Sequence, residues 1–164
     1  MLNKTIIPQL KHEGEQTRKI LSKVPYDQWD WKPHEKSMKL GRLASHIAEL
    51  AGWVKMTLNS DELDFSKGGY RPSEVKSTEA VLELLDKNVL EGLSELEHVS
   101  DETLRGDWSL RNGEQVFFTL PRIAVIRTMA ISHLIHHRGQ LSVYLRLLNV
   151  PVPGLYGPSA DESF

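Results

Sequence analysis

Cysteine is absent from this chain of 164 residues. That excludes disulfides, thiolate metal sites, cysteine nucleophiles and thiol redox switching together, so any thiol chemistry must use a thiol carried by a substrate. Long apolar runs are missing as well: none approaches the roughly 18 residues that a membrane-spanning helix requires. Neither sign of charge dominates, with 20 Lys+Arg against 22 Asp+Glu and a net charge of −2. No basic excess exists to release counterions from a phosphate backbone, which argues against nucleic acid as a partner. Pro8, His12, Glu13 and Glu15 stand where a signal peptide would place an apolar stretch. A cytoplasmic location is therefore expected, and without export the Asn3-Lys4-Thr5 sequon is idle. There is no GxxxxGK[ST], GxGxxG or GxSxG, and His12 is followed by EGEQ rather than completing HExxH. Phosphate cradles, acyl-hydrolase elbows and zincin chemistry thus lack support.

What is present reads as a globular protein: 40% apolar and 26% charged residues, in a length suited to a single domain over residues 1–164. Four stretches carry helical periodicity. The first, about 3–23, aligns Leu10, Thr17 and Leu21 and closes at Pro25. The second, about 39–59, steps by three and four through Leu40, Leu43, Ile47, Leu50 and Val54. The third, about 77–99, carries Leu82, Leu85, Val89, Leu93 and Leu96, with Ser77 placed to cap it. The fourth starts near Thr119-Leu120-Pro121, runs to about Leu148 and stops before Pro151. An all-α four-helix bundle is predicted. Between these helices lie an aromatic loop at 24–38, a mobile crossover at 60–76 and, at 107–118, an Asn112-Gly113 pair that signals a tight hairpin.

Seven histidines are the only nitrogen ligands available to a transition metal. His133 and His137 stand four apart, so on a helix both imidazoles face the same side and can reach one ion. Seven histidines in 164 positions produce such a pair by chance in roughly one chain in four, so spacing alone says little. The face says more. Ile126, Ala130, Leu134, Leu141, Tyr144 and Leu148 define an apolar stripe; His137 falls about 20° from its centre, His133 about 60° and His136 about 120° away. The spaced pair turns inward. Two adjacent inward imidazoles resist joint protonation and need hydrogen-bond partners or a shared cation. His46 flanks the apolar seam of the second helix and completes a three-histidine set if helices two and four are neighbours. His34, His12 and His98 read as surface residues, Trp53 as core or pocket wall, and Arg138 as the partner of a carboxylate such as Glu49. Ile131 and Ile135 lie outside the main stripe, an apolar excess that suggests a homodimer.

Three blocks in this order, DWKPHEKSMKLGRLASHIAEL, DWSLRNGEQVFFTLP and SHLIHHRGQLSVYLRLLNVPVPGLYGPSADE, resemble the DinB superfamily of damage-inducible-type bundle proteins. The resemblance covers most of the chain. It implies a four-helix bundle with up-down-down-up connectivity and a divalent metal, commonly zinc or nickel, on three histidines that fall here on His46, His133 and His137. Relatives in the wider superfamily include metal-dependent transferases that use low-molecular-weight thiols such as bacillithiol and mycothiol, and a maleylpyruvate isomerase. A metal-dependent enzyme of thiol-transferase or hydrolase type is the leading expectation. Glu49 is then a candidate to orient a ligand imidazole, and Tyr144 and Gln140 to orient substrate. The rival is a non-catalytic dimeric module, stapled by its metal and acting in a stress response.

Overall fold

Each of the four periodic stretches forms helix in the computed structural model, which describes residues 1–73 and 75–163. Helix α1 spans Asn3–Leu21, α2 Leu40–Leu50, α3 Trp53–Asn59, α4 Thr78–His98 and the short α5 Asp101–Arg105. The last segment is composite: α6 (Arg122–Val125), a π-helical stretch (Ile126–Ser132) and α7 (His133–Leu147). Helices α1 and α2 each pack against both α4 and α7, so the four segments close a ring around one apolar core. The Ser77 hydroxyl caps α4 by accepting the Ala80 N–H at 3.0 Å.

The second predicted helix is interrupted. The Gly52 N–H turns back to Glu49 O at 2.9 Å, which deprives the Ala48 carbonyl of its helical partner. Asn88 on α4 donates its side-chain amide to that carbonyl at 2.9 Å, so the break is satisfied from a neighbouring helix. The aromatic loop is fixed to the start of α2 in a similar way. The carbonyls of Trp31 and Trp29 accept the N–H groups of Leu40 and Gly41 at 2.8 and 2.9 Å. Trp29 lies so close to the helix that a Cβ on residue 41 would stand 2.1 Å from its ring, which only glycine avoids.

The protein is not purely helical. β1 (Glu62–Asp64) pairs in parallel with β2 (Asp107–Asn112), which pairs antiparallel with β3 (Gln115–Pro121). The hairpin expected at Asn112-Gly113 is present, with Gly113 at φ +59° opening the turn. β1 and the 3-10 turn Phe65–Lys67 occupy part of the expected crossover. Thr119–Pro121 belongs to β3, so the last helix starts at Arg122 rather than at Thr119. Trp108 is fully buried beneath the sheet and donates its indole N–H to Ser60 Oγ at 3.1 Å.

The π-helical stretch changes which residues face inward. Each i→i+5 turn takes up one residue more than an α turn, so the apolar stripe shifts by one position across it. Ile131, expected outside the stripe, is 2% exposed, and Ile135 packs half-buried against the same core. Arg138 is 1% exposed and points to α1, pairing with Glu13 at 2.7 Å rather than with Glu49. It also donates to the Glu13 carbonyl, to Thr17 Oγ1 and to the Tyr156 hydroxyl, which in turn donates to the Glu13 carboxylate at 2.7 Å. The C-terminal segment is thereby fastened across α1 and α7. Replacing one partner of a buried ion pair strands the other charge, so Glu13→Ala is expected to cost about 3–5 kcal/mol in urea unfolding. Glu13→Leu combined with Arg138→Met, which removes both charges, is expected to cost less than Glu13→Ala.

Candidate metal centre

Three imidazoles converge where α2 meets the start of α7. His46 comes from the middle of α2, His133 is the first residue after the π-helical stretch, and His137 follows one turn later. Their candidate ligand nitrogens all lie within 4.8 Å of one another, the only such group of three or more His, Asp or Glu among the described residues. The His46 ring stands 5.3 Å from His133 and 4.7 Å from His137, edge-on to both. The Nε2 atoms of His133 and His137 face each other at 2.9 Å. Two nitrogens on one tetrahedral ion at 2.0–2.1 Å stand about 3.3 Å apart, so little adjustment separates this geometry from ligation.

The outward nitrogens decide which ring atoms are left. His137 Nδ1–H donates to Gln140 Oε1 at 2.8 Å, and the Gln140 amide donates to His136 Nε2 at 3.1 Å. His137 Nε2 therefore carries the lone pair and accepts a hydrogen bond from His133 Nε2–H. That leaves the lone pair of His133 Nδ1 buried without a donor, since the neighbouring Met129 carbonyl can only accept. Giving His133 Nε2 to an ion moves the proton to Nδ1, beside that carbonyl. The orphaned nitrogen thus fits a bound cation better than it fits the bare pair. His46 Nδ1 faces Glu49 Oε2 at 3.5 Å and Arg42 Nη2 at 3.4 Å, which leaves its Nε2 for the centre.

Electrostatics point the same way. Burial pushes His133 down to about 4, helped by repulsion from His137, His46 and His136. Burial also lowers His137, although its bond to Gln140 works against the shift. Both rings are neutral at physiological pH, the state in which imidazole binds metal. Glu49 is the anion behind them. Burial alone would raise its pKa, but hydrogen bonds from His46, Arg42, Tyr70 and the Ser73 N–H hold it at about 2. Arg42 grips both carboxylate oxygens at 3.0–3.1 Å, and the Tyr70 hydroxyl and Ser73 N–H each donate at 2.6 Å. Burial and the Glu49 charge raise the Tyr70 pKa, so the phenol keeps the proton it donates.

The other sequence candidates fall away from the centre or change role. Gln140 is engaged by His137 and His136, so it orients a ring rather than a substrate. The Tyr144 hydroxyl donates to the Met38 carbonyl at 3.3 Å, and its ring meets Trp31 edge-on at 5.6 Å. Both residues line a pocket of about 450 Å³ that reaches His137 and also includes Lys36 and Met38. His12, His34, His98 and His136 are exposed, and Trp53 is core. Sequence reasoning missed Arg42, although Arg42, His46 and Glu49 sit at i, i+4 and i+7 on one face of α2. It had no signal for Tyr70 or for the Ser73 backbone.

The chain belongs to the DinB family, whose model matches residues 1–163. It is 25% identical over 154 residues to Uncharacterized protein YrdA of Bacillus subtilis (strain 168), covering 92% of this chain and 85% of that protein. In fold it resembles the DinB-like protein YjoA of Bacillus subtilis, with a TM-score of 0.70 and 20% identity over 92% of this chain and 96% of the other. A DinB-like protein from Bacillus cereus ATCC 10987 aligns with a TM-score of 0.64 and 22% identity, covering 89% and 92% of the two chains.

The lowered His133 pKa sets a pH window for the metal-free protein. The unfolded histidine, near its ordinary value of about 6.5, takes up a proton before the folded one does, so stability is lost as pH falls from about 6.5 towards 4. Glu49 adds loss only below its ordinary value of 4.5, towards 2. Melting curves of chelator-treated protein should therefore fall between pH 6.5 and 4.5, and His133→Phe should flatten that interval while leaving the steeper loss below it. A wild-type melting temperature constant down to pH 4.5 would contradict the assignment.

Proposed function

We propose that His46, His133 and His137 hold one divalent metal ion, zinc or nickel, and that the protein is a cytoplasmic metal-dependent enzyme of thiol-transferase or hydrolase type. The observation that carries this reading is the convergence of three imidazoles, with Glu49 beside Nδ1 of His46 and Gln140 bonded to Nδ1 of His137. A bound ion of this kind supplies Lewis acidity, lowering the pKa of a water or thiol to yield a nucleophile at neutral pH. The chain's own residues do the rest. Glu49 holds the His46 tautomer, Gln140 holds that of His137, and the pocket beside His137 admits a small molecule between Met38, Lys36 and Tyr144. Three protein ligands leave a position free for a cosubstrate or water, the pattern of catalytic rather than structural sites.

A second reading has its own support. The three histidines join α2 to α7, so an ion there would also staple the bundle, and a stress-response module without turnover would need nothing more. Its dimeric form has lost its first motive, because Ile131 is buried within the chain.

Metal analysis by mass spectrometry on protein purified without a nickel column is expected to give about one ion per chain in wild type. His46→Ala, and His133→Ala with His137→Ala, should each abolish it. Glu49→Gln should weaken affinity about 10–100-fold while the fold persists. Screening the loaded protein with thiols and electrophiles, and with esters and amides, should reveal turnover that His137→Ala removes. Full metal content with no turnover, and a large drop in melting temperature on chelation, would favour the staple.

A further inference from the structure

A second cavity lies apart from the three histidines. It is a cleft of about 830 Å³ between the aromatic loop and Ser73, Val75 and Lys76, floored by α2 at Gly41, Arg42 and Ser45. Its size falls in the range of about 300–1,000 Å³ typical of small-molecule sites. Arg42 separates it from the candidate metal centre: one side of the guanidinium grips Glu49 behind His46, and the residue also lines the cleft.

The lining has a definite chemistry. Tyr26, Trp29 and Trp31 bring three aromatic rings to one cavity from a stretch of six residues, and Tyr26 is 60% exposed. Trp29 is held by its approach to Gly41, and Trp31 by its edge contact with Tyr144, so both rings are fixed before anything binds. Charge at the cleft is balanced in sign: Asp27 and Lys76 add one charge of each kind, and two further cations are closed in pairs. Lys39 pairs with Asp30 at 2.7 Å and Arg42 with Glu49 at 3.0 Å. The first two N–H groups of α2, those of Leu40 and Gly41, are taken by the Trp31 and Trp29 carbonyls rather than left for an anion. The Arg42 Nη groups are committed to Glu49 and Tyr70 and also touch His46 Nδ1; among the described residues its Nε–H is the donor left for a ligand's acceptor.

We infer that this cleft is a binding site for a neutral, planar aromatic molecule that stacks on Trp31 and Tyr26 and presents an acceptor group to Arg42. The site is independent of the metal reading, because no histidine of the triad lines it. It offers a face on which a flat ring loses little on leaving water and gains stacking, whereas a ligand of either charge would meet closed ion pairs and repulsion from one of Asp27 and Lys76.

Titration of the full chain with benzamide, followed by saturation-transfer NMR and tryptophan fluorescence, tests the inference. Cyclohexanecarboxamide, with the same amide on a saturated ring, isolates the aromatic contribution; benzoate and benzylamine carry the same ring with each sign of charge. Benzamide is expected to bind saturably and more tightly than the other three. Tyr26→Ala and Trp31→Ala, both outside the buried core, should each weaken it about three- to tenfold with the melting temperature preserved. Chelator should leave its affinity unchanged. Equal binding of the saturated amide, tighter binding of either charged analogue, no response in the two variants, loss on chelation, or no saturable binding at millimolar benzamide would each overturn the assignment.

Discussion

A buried carboxylate must be given donors, and the way Glu49 obtains them joins three parts of the chain that are distant in sequence. Arg42 comes from one face of α2, while Tyr70 and the Ser73 N–H come from the segment between the sheet and α4. His46 receives what remains of the charge. With Arg42 and Tyr70 supplying the strong hydrogen bonds, the carboxylate stays ionised in a site that would otherwise protonate it. An ionised Glu49 then selects one His46 tautomer. The chemistry available at the centre depends on that selection.

The same solution occurs once more in the fold. Glu13, Arg138 and Tyr156 form a second buried carboxylate–guanidinium–phenol node, with the arginine immediately after His137. In both nodes a tyrosine hydroxyl pins a non-helical segment to the bundle, and in both the arginine stands within four residues of a triad histidine. The two helices that present the imidazoles are each anchored beside the centre, α2 through the face that carries His46 and α7 through Arg138 to α1. Ridges of apolar side chains alone would permit small sliding and rotation; an ion pair whose buried carboxylate also accepts a tyrosine hydroxyl resists it.

Much of the helical frame was legible because it rests on local rules. Apolar spacing located the four long segments, Ser77 its cap, and Asn112-Gly113 the hairpin, since each is decided by side chains a few residues apart. The features that were not legible depend on groups brought in from elsewhere. The break after Leu50 is stabilised by Asn88, 40 residues along the chain from the carbonyl it serves. β1 is three residues long and has no reason to be a strand without β2 beside it. The π-helical stretch has no mark in its composition, and it overturned the reading of Ile131 as an outward residue.

The sequence by itself determined the donor set: no cysteine, seven histidines, one pair at helical spacing on an inward face, and a third beside an apolar seam. Spacing along one helix is enough to place His133 next to His137, because the backbone between them is regular. It could not place His46, whose distance to the pair is set by how α2 packs on α7. Nor could it pair the charges: Arg138 was matched to Glu49, and the folded chain gives each a different partner, Glu13 and Arg42. Burial makes those choices. An ion pair in the interior forms only between groups that packing has already removed from water together, and which groups those are is a property of the assembled bundle.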